Sequence, residues 1–580
     1  DLARAAMAAL ALEVLAVALA GLFQVGSSGG SKQASVWFVS WQHTGHIKAL
    51  CPIALELQAR GWQVRIAVHD EVSHQVPKDL AVVSVGRLPW TWDEELHFRR
   101  TLWDPMPSPA QDPKEESSRK ADLSERYFAG SQSSLASGLN LSLQALPREQ
   151  WPRLLAVDVS SVGAMDLAER LELPFAVISS WPVGPTLQSI GDETAFAHPW
   201  LPSELFAFPQ SADQQSFSDR LKRYVATAAL PRFMGLVGFH APRRELRRKW
   251  GLSGNLELLE VPRLRPGGER ALVLVLSHWG LDRPRTLPPH VLTVGPVEDY
   301  TAQAKRRAPL PVGVQSWLQQ DAGHVVYISF GTNVQPKQRM VRALVEGMAR
   351  LESTGVRFLW DADQAEMEAT ATGEGQGESG NQLQPMPENL LFAQRVDQLA
   401  LLASGRLGAF VTHCGLNSVH EALHFGVPLI GLPFLGDQLI TSFLVEEAGA
   451  GVRLAAPTIA AASFEAAILR VLTEDGYNRS ARRVGTLGRL AGGARRAADA
   501  LEAVAEHGAA HLQTIGWRDA AAGRLWDVRA ALLAALALAG ALVWWSWGAL
   551  AGGGEGRQGP DRPASQRASD AASARKKKRP

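Results

Sequence analysis

The sequence predicts an α/β protein with doubly wound, Rossmann-like units, and three observations lead there. Near the start, residues 36–40 form a short apolar run, followed by a turn. Ile47, Leu50, Ala54 and Leu57 then recur at helical spacing before a second strand-like run, Gln63–Val68. Between Gly408 and Gln438 the same order returns as strand, tight turn, helix and strand. Finally, 580 residues with 46% hydrophobic content supply two substantial cores.

Taken in order, residues 1–30 read as a secretory signal peptide. Residues 5–23 are apolar apart from Glu13, Arg4 precedes them, and Gly26, Ser27 and Ser28 follow. The first domain is expected over 31–290. His46 falls in the first turn of its opening helix, beside the crevice at the carboxyl ends of the strands. A helix N-terminus disfavours imidazolium, so a histidine there is neutral and able to accept a proton. His43, in the preceding turn, is a rival for that role. Residues 154–157 form a strand that ends at Asp158, with Ala164, Leu167, Ala168 and Leu171 marking the next helix before the strand Phe175–Ser179. Asp158 is therefore expected to face the same crevice as His46. Residues 101–125 and 190–225 are rich in polar residues, Pro and Trp, and read as pocket-lining loops.

The second domain is expected over 291–525, entered through the linker KRRAPLP. A strand Val325–Ser329 leads to a turn where the hydroxyls of Ser329 and Thr332 can reach a phosphate oxygen. Residues 361–384 are rich in Gly, Glu and Ala and read as a solvated insertion loop. In residues 408–438, GAFVTHCGLNSVHEALHFGVPLIGLPFLGDQ, a buried strand feeds a glycine-containing turn and a helix N-terminus. Unsatisfied N–H groups and the positive end of the helix dipole there make an anion site. His413, Asn417 and Ser418 add side-chain donors. Glu421 lies one turn further along the same helix face, where a carboxylate suits a ribose diol. The stretch reads as a sugar-nucleotide site.

Residues 530–551 carry no charge and as a helix would span about 33 Å, enough to cross a hydrocarbon core. Trp544, Trp545 and Trp547 lie near its far end, as an interfacial belt would. We therefore expect a transmembrane helix over 528–551 and a cytosolic basic tail over 552–580, ending KKKRP, with both large domains lumenal. The formal charge of +1 argues against a nucleic-acid partner. Two cysteines, Cys51 and Cys414, make neither a disulfide framework nor a metal-ligand cluster.

The order THCG-x-NS-x-x-E, then GVP, then DQ resembles the donor-binding signature of the UDP-glycosyltransferases. TGHIKALCPIALELQARGW resembles that family's opening segment, and SHWGLDRPRTLPPHVLTVGP its crossover between domains. The resemblance implies the GT-B fold, two such domains facing a cleft, and hexosyl or glucuronosyl transfer from a UDP-sugar to a hydroxyl of a small lipophilic acceptor, with inversion. It implies that His46 rather than His43 is the general base, and that Asp158 orients it. It assigns the diphosphate to His413, Gly415, Asn417 and Ser418, the ribose to Glu421, and the transferred sugar to Asp437 and Gln438. No cofactor or metal is implied, since the UDP-sugar is a co-substrate; a homo-oligomer is left open. ARRAADALEAVAEHGAAHL resembles the segment before the membrane anchor of animal-type members. Lys577 and Lys578 resemble a dilysine retrieval signal, implying the endoplasmic-reticulum membrane, and the sequons at Asn140 and Asn478 fit a lumenal face.

Three positions depart from the family pattern. Arg395 stands where a Trp stacks on uracil, although Gln398 is present three places later. An Arg plane can also stack on a base. Leu416 and Thr441 replace a Trp and an Asn found in other members. Arg395 is the main support for a rival reading, a catalytically silent lumenal protein that binds a sugar nucleotide or glycolipid. A soluble glycan phosphorylase, a third reading, lacks a Lys-cofactor motif here.

Overall fold

The computed structural model describes residues 34–102, 113–190, 241–252, 261, 270–320, 323–331, 334–372, 386–434, 436–513 and 537–539. The expected signal peptide and basic tail lie outside the described residues, as does nearly all of the expected membrane helix. Among the described residues no helix is long and apolar enough to cross a membrane.

Two parallel sheets organise the chain. The first has the order β3-β2-β1-β4-β5-β6-β7, formed by β1 (Ser35–Val39), β2 (Gln63–Val68), β3 (Ala81–Ser84), β4 (Leu154–Asp158), β5 (Phe175–Ser179), β6 (Val273–Val275) and β7 (Val291–Thr293). Every pairing is parallel. Along β1, Val36 and Phe38 enter the core under the helix Thr44–Ala59, while Trp37 and Val39 enter the core on the opposite face. That alternation, with both faces covered, is why the strand reads as a continuous apolar run.

The second sheet has the order β10-β9-β8-β11-β12-β13. Its strands are β8 (Val325–Ser329), β9 (Arg357–Trp360), β10 (Leu390–Phe392), β11 (Leu407–Thr412), β12 (Leu429–Gly431) and β13 (Gly451–Arg453). Val326 and Ile328 face one core, Val325 and Tyr327 the other. In both sheets the strand order reverses between the two central strands, β1 and β4 in the first and β8 and β11 in the second. The crevice outside the carboxyl ends of such a pair is where open α/β sheets bind ligands.

Several sequence expectations are corrected. Residues 361–384 are not a loop throughout, because Gln364–Thr372 is a helix that buries Met367 and Ala371. Its Gln, Ala, Glu and Met are good helix formers, and Met367 and Ala371 join the core of the second sheet. Part of the supposed loop 101–125 is the start of a helix, Pro113–Gln144, with proline at its first position. The first domain does not stop at 290, since β7 completes its sheet beyond that point. The helix Gly493–His507 also returns to it: Ala497, Ala498, Leu501 and Val504 join the core around Val36 and Leu50. Arg60 holds that helix in place through Asp499 at 2.6 Å and Glu502 at 3.1 Å, and Trp62 Nε1 donates to Glu502 at 2.8 Å.

Candidate active site

The two switch points face each other. On the first sheet, the helix Thr44–Ala59 begins just past β1, and His43 occupies its N-cap in extended conformation without a capping side chain. His46 is in its first turn. Asp158 is the last residue of β4 and is 1% exposed. His46 Nδ1 and Asp158 Oδ2 are 2.8 Å apart, and the other carboxylate oxygen accepts the Ser160 N–H at 2.9 Å. With Nδ1–H donated to the carboxylate, the ring's lone pair is on Nε2. His43 is engaged differently: its ring stacks on Trp41 with centroids 4.2 Å apart, and its Nε2 lies 2.8 Å from Tyr127 Oη.

On the second sheet, β11 ends at Thr412, in register with Ser329 at the end of β8. The turn that follows is tight enough to hold Cys414 at φ 65°, in the left-handed region, with its side chain buried. His413 is flanked by two glycines for a steric reason. A Cβ on Gly331 would lie 2.8 Å from His413 Cε1, and one on Gly415 would lie 2.8 Å from His413 Nε2. Burial pushes the His413 imidazole down to about 4, so it is neutral near pH 7. Gly415 caps the helix Leu416–His424 with no side-chain bond of its own, leaving the first-turn N–H groups directed at the turn.

The remaining expected residues divide into groups. Gln398 Nε2 donates to Glu421 Oε2 at 2.7 Å and to Ser418 Oγ at 3.2 Å, joining three of them in one cluster. Burial raises the Glu421 carboxyl, and the bond from Gln398 partly offsets that. Asp437 opens the helix Asp437–Glu447 behind Gly436 (φ 64°). Burial pushes its carboxyl up to about 6, and the charge of His46 acts in the opposite direction. Gln438 Oε1 accepts the Phe434 N–H at 3.0 Å, bracing the loop before that helix. Asn417 Nδ2 donates to the Gly45 carbonyl at 3.1 Å, from one domain to the other. Ser329 is buried at the end of its strand, and Thr332 lies outside the described residues.

Comparison with known proteins agrees with this arrangement. The profile of the family described as UDP-glucoronosyl and UDP-glucosyl transferase matches residues 45–515. The chain belongs to this family. A UDP-glycosyltransferase of Talaromyces amestolkiae is 29% identical over 350 residues, covering 59% of this chain and 62% of that protein. UDP-glucuronosyltransferase 2B30 of Macaca fascicularis is 23% identical over 349 residues, 60% of this chain and 59% of the relative. The chain thus spans about three fifths of the length of these curated relatives. Among solved structures, the calicheamicin glycosyltransferase CalG4 matches with a TM-score of 0.52 at 18% identity, over 82% of this chain and 98% of that one. The glycotransferase of kitacinnamycin matches with 0.51 at 19%, over 81% and 99%. At such identities the likeness is one of fold, and the fold is GT-B.

The positions where this family member departs from the signature have distinct surroundings. Arg395 is exposed and sits at φ 54°, a left-handed conformation held by its N–H donating to Asp361 Oδ1 at 2.7 Å. Leu416 is 5% exposed and anchors the helix Leu416–His424 in the apolar core. Thr441 Oγ1 donates to the Asp437 carbonyl at 2.9 Å, so its hydroxyl is spent within its own helix. Sequence reasoning missed the groups around His43. Glu95, Trp90 and Tyr127 come from segments with no motif, and nothing in their spacing announces them.

Proposed function

We propose that this chain transfers a glycosyl group from a UDP-sugar to a hydroxyl of a small lipophilic acceptor, with inversion at the anomeric carbon. The observation that carries the reading is the 2.8 Å contact between His46 and the buried Asp158, set opposite the N-terminus of the helix Leu416–His424. His46 Nε2 takes the acceptor's hydroxyl proton while that oxygen attacks the anomeric carbon from the face opposite the diphosphate. The bond from the anomeric carbon to the β-phosphate oxygen breaks, and the electron pair leaves on UDP. Asp158 stabilises the imidazolium that forms. The departing charge meets preorganised donors: the first-turn N–H groups of that helix and the side chains around His413.

On this reading Glu421 and Gln398 hold the ribose, and Asp437 and Gln438 the transferred sugar. The charge-free run 530–551 and the terminal KKKRP support a membrane-anchored chain with the cleft on the lumenal side. The test is incubation of membranes holding the chain with a panel of UDP-sugars and a mixed acceptor library, followed by mass spectrometry. A glycosylated acceptor is expected. UDP binding without transfer or donor hydrolysis would instead support a silent binding protein.

A further inference from the structure

Beside His46 lies a buried polar chain that the proton transfer does not use. Tyr127 Oη donates to Glu95 Oε1 at 2.7 Å, and Glu95 Oε2 accepts the indole N–H of Trp90 at 2.7 Å. Gln42 Nε2 donates to the same phenol oxygen at 3.2 Å, and His43 Nε2 lies 2.8 Å from it. Glu95, Tyr127 and Gln42 are fully buried and His43 is 3% exposed. A phenol has one proton, and Glu95 holds it, so the His43 contact requires the imidazole to donate from Nε2. The ring so fixed stacks on Trp41, which also stacks on Phe128 with centroids 5.4 Å apart. Trp41 Nε1 donates to Ser131 Oγ at 3.3 Å, and the indole stands edge-on to His46 at 5.5 Å and 78°.

We infer that Glu95 and Tyr127 are positioning residues for His46. Through His43 they clamp Trp41, and Trp41 holds the plane of the His46 ring so that Nε2 faces the acceptor hydroxyl. The inference rests on His46 being the base. None of these residues is among those assigned to the donor, so losing the chain is expected to cost orientation. A misaligned base slows turnover without weakening nucleotide binding.

The test uses the full chain with Tyr127→Phe, Glu95→Gln, the double variant, and Phe98→Leu. Phe98 packs on Tyr127 at 5.5 Å without a hydrogen bond in the chain, and serves as the packing control. Tyr127→Phe and Glu95→Gln are each expected to lower kcat about tenfold with UDP-sugar KM unchanged, and the double variant to be no worse than either single. Phe98→Leu is expected to keep kcat. Wild-type kcat in Tyr127→Phe, multiplied losses in the double variant, or an equal loss in Phe98→Leu would overturn the inference. Should a variant fail to fold, histidine ¹⁵N NMR of the wild-type chain decides: an Nε2-protonated His43 is expected, and an Nδ1-protonated one overturns it. His46→Ala separates the two claims. If it is active, the base assignment falls; if it is inactive while Tyr127→Phe is fully active, only this inference falls.

Discussion

Asn417 Nδ2 donates a hydrogen bond to the Gly45 carbonyl oxygen over 3.1 Å, joining the first turn of the helix Leu416–His424 to the residue before His46. The residues are 372 apart in sequence, and the bond sets the two switch points of the fold against each other. Asn417 is thus a strut between domains as well as a member of the signature. Asn417→Ala removes a bond worth about 1 kcal/mol net, and should lower kcat/KM about fivefold while UDP affinity changes little. Steady-state kinetics beside a UDP titration checks this; a collapse of UDP binding would make the side chain a phosphate ligand first.

The two glycines around His413 are predicted to be intolerant of a single methyl. Gly415→Ala places a Cβ 2.8 Å from the imidazole Nε2. Gly331→Ala meets the ring at the same distance and adds backbone strain at φ 68°. Each should weaken UDP binding at least about tenfold, since about 1.4 kcal/mol of displacement suffices for that. Calorimetric titration with UDP measures it, and unchanged affinity would remove His413 from the nucleotide site.

Asp437 is expected to make sugar-nucleotide binding depend on pH. Its carboxyl is raised to about 6, so it is ionised above that pH and protonated below it. If the carboxylate accepts hydroxyl protons of the transferred sugar, UDP-sugar KM should rise as pH falls from 7 to 5. Asp437→Asn should show a high KM that no longer varies over that range. A wild-type KM flat across pH 6 would contradict this.

His278 and His420 face each other with ring centroids 5.9 Å apart, one just past β6 and the other on the helix Leu416–His424. Burial pushes His278 from 6.5 down to about 4. Burial, with His278 adding to it, pushes His420 down to about 3. Both pKa values are lowered in the folded chain, so the unfolded state binds more protons below 6.5. Their contribution to stability is whole above pH 6.5 and is lost as pH falls toward 4, by about 1.4 kcal/mol per pH unit for each. Denaturant unfolding of wild type and of His278→Gln/His420→Gln at pH 7 and 5 reads the difference. The variant should lose less stability on acidification; equal losses would contradict the prediction.

Much of the scaffold was legible because parallel strands buried on both faces leave unbroken apolar runs. Gln63–Val68, Phe175–Ser179 and Val325–Ser329 have the bounds expected of them. The turn at residues 413–415 and the left-handed Gly426 (φ 73°) follow from local chemistry that a sequence carries openly. Other features depend on distant partners. Pro113–Gln144 looks polar because its buried Tyr127, Leu135, Leu139 and Leu143 are spread over a long helix. The helix Gly493–His507 reads as amphipathic, but no local signal says which of two cores its Ala497, Leu501 and Val504 enter. The same holds for the site. Signature residues were legible, whereas the bond from Asn417 to Gly45 and the chain from Glu95 to His43 exist only once separate segments meet.

The most direct measurement is turnover of His46→Ala with UDP binding followed in parallel. The account predicts a loss in kcat of at least about 10²-fold with UDP affinity kept. Near-normal turnover in that variant would contradict it.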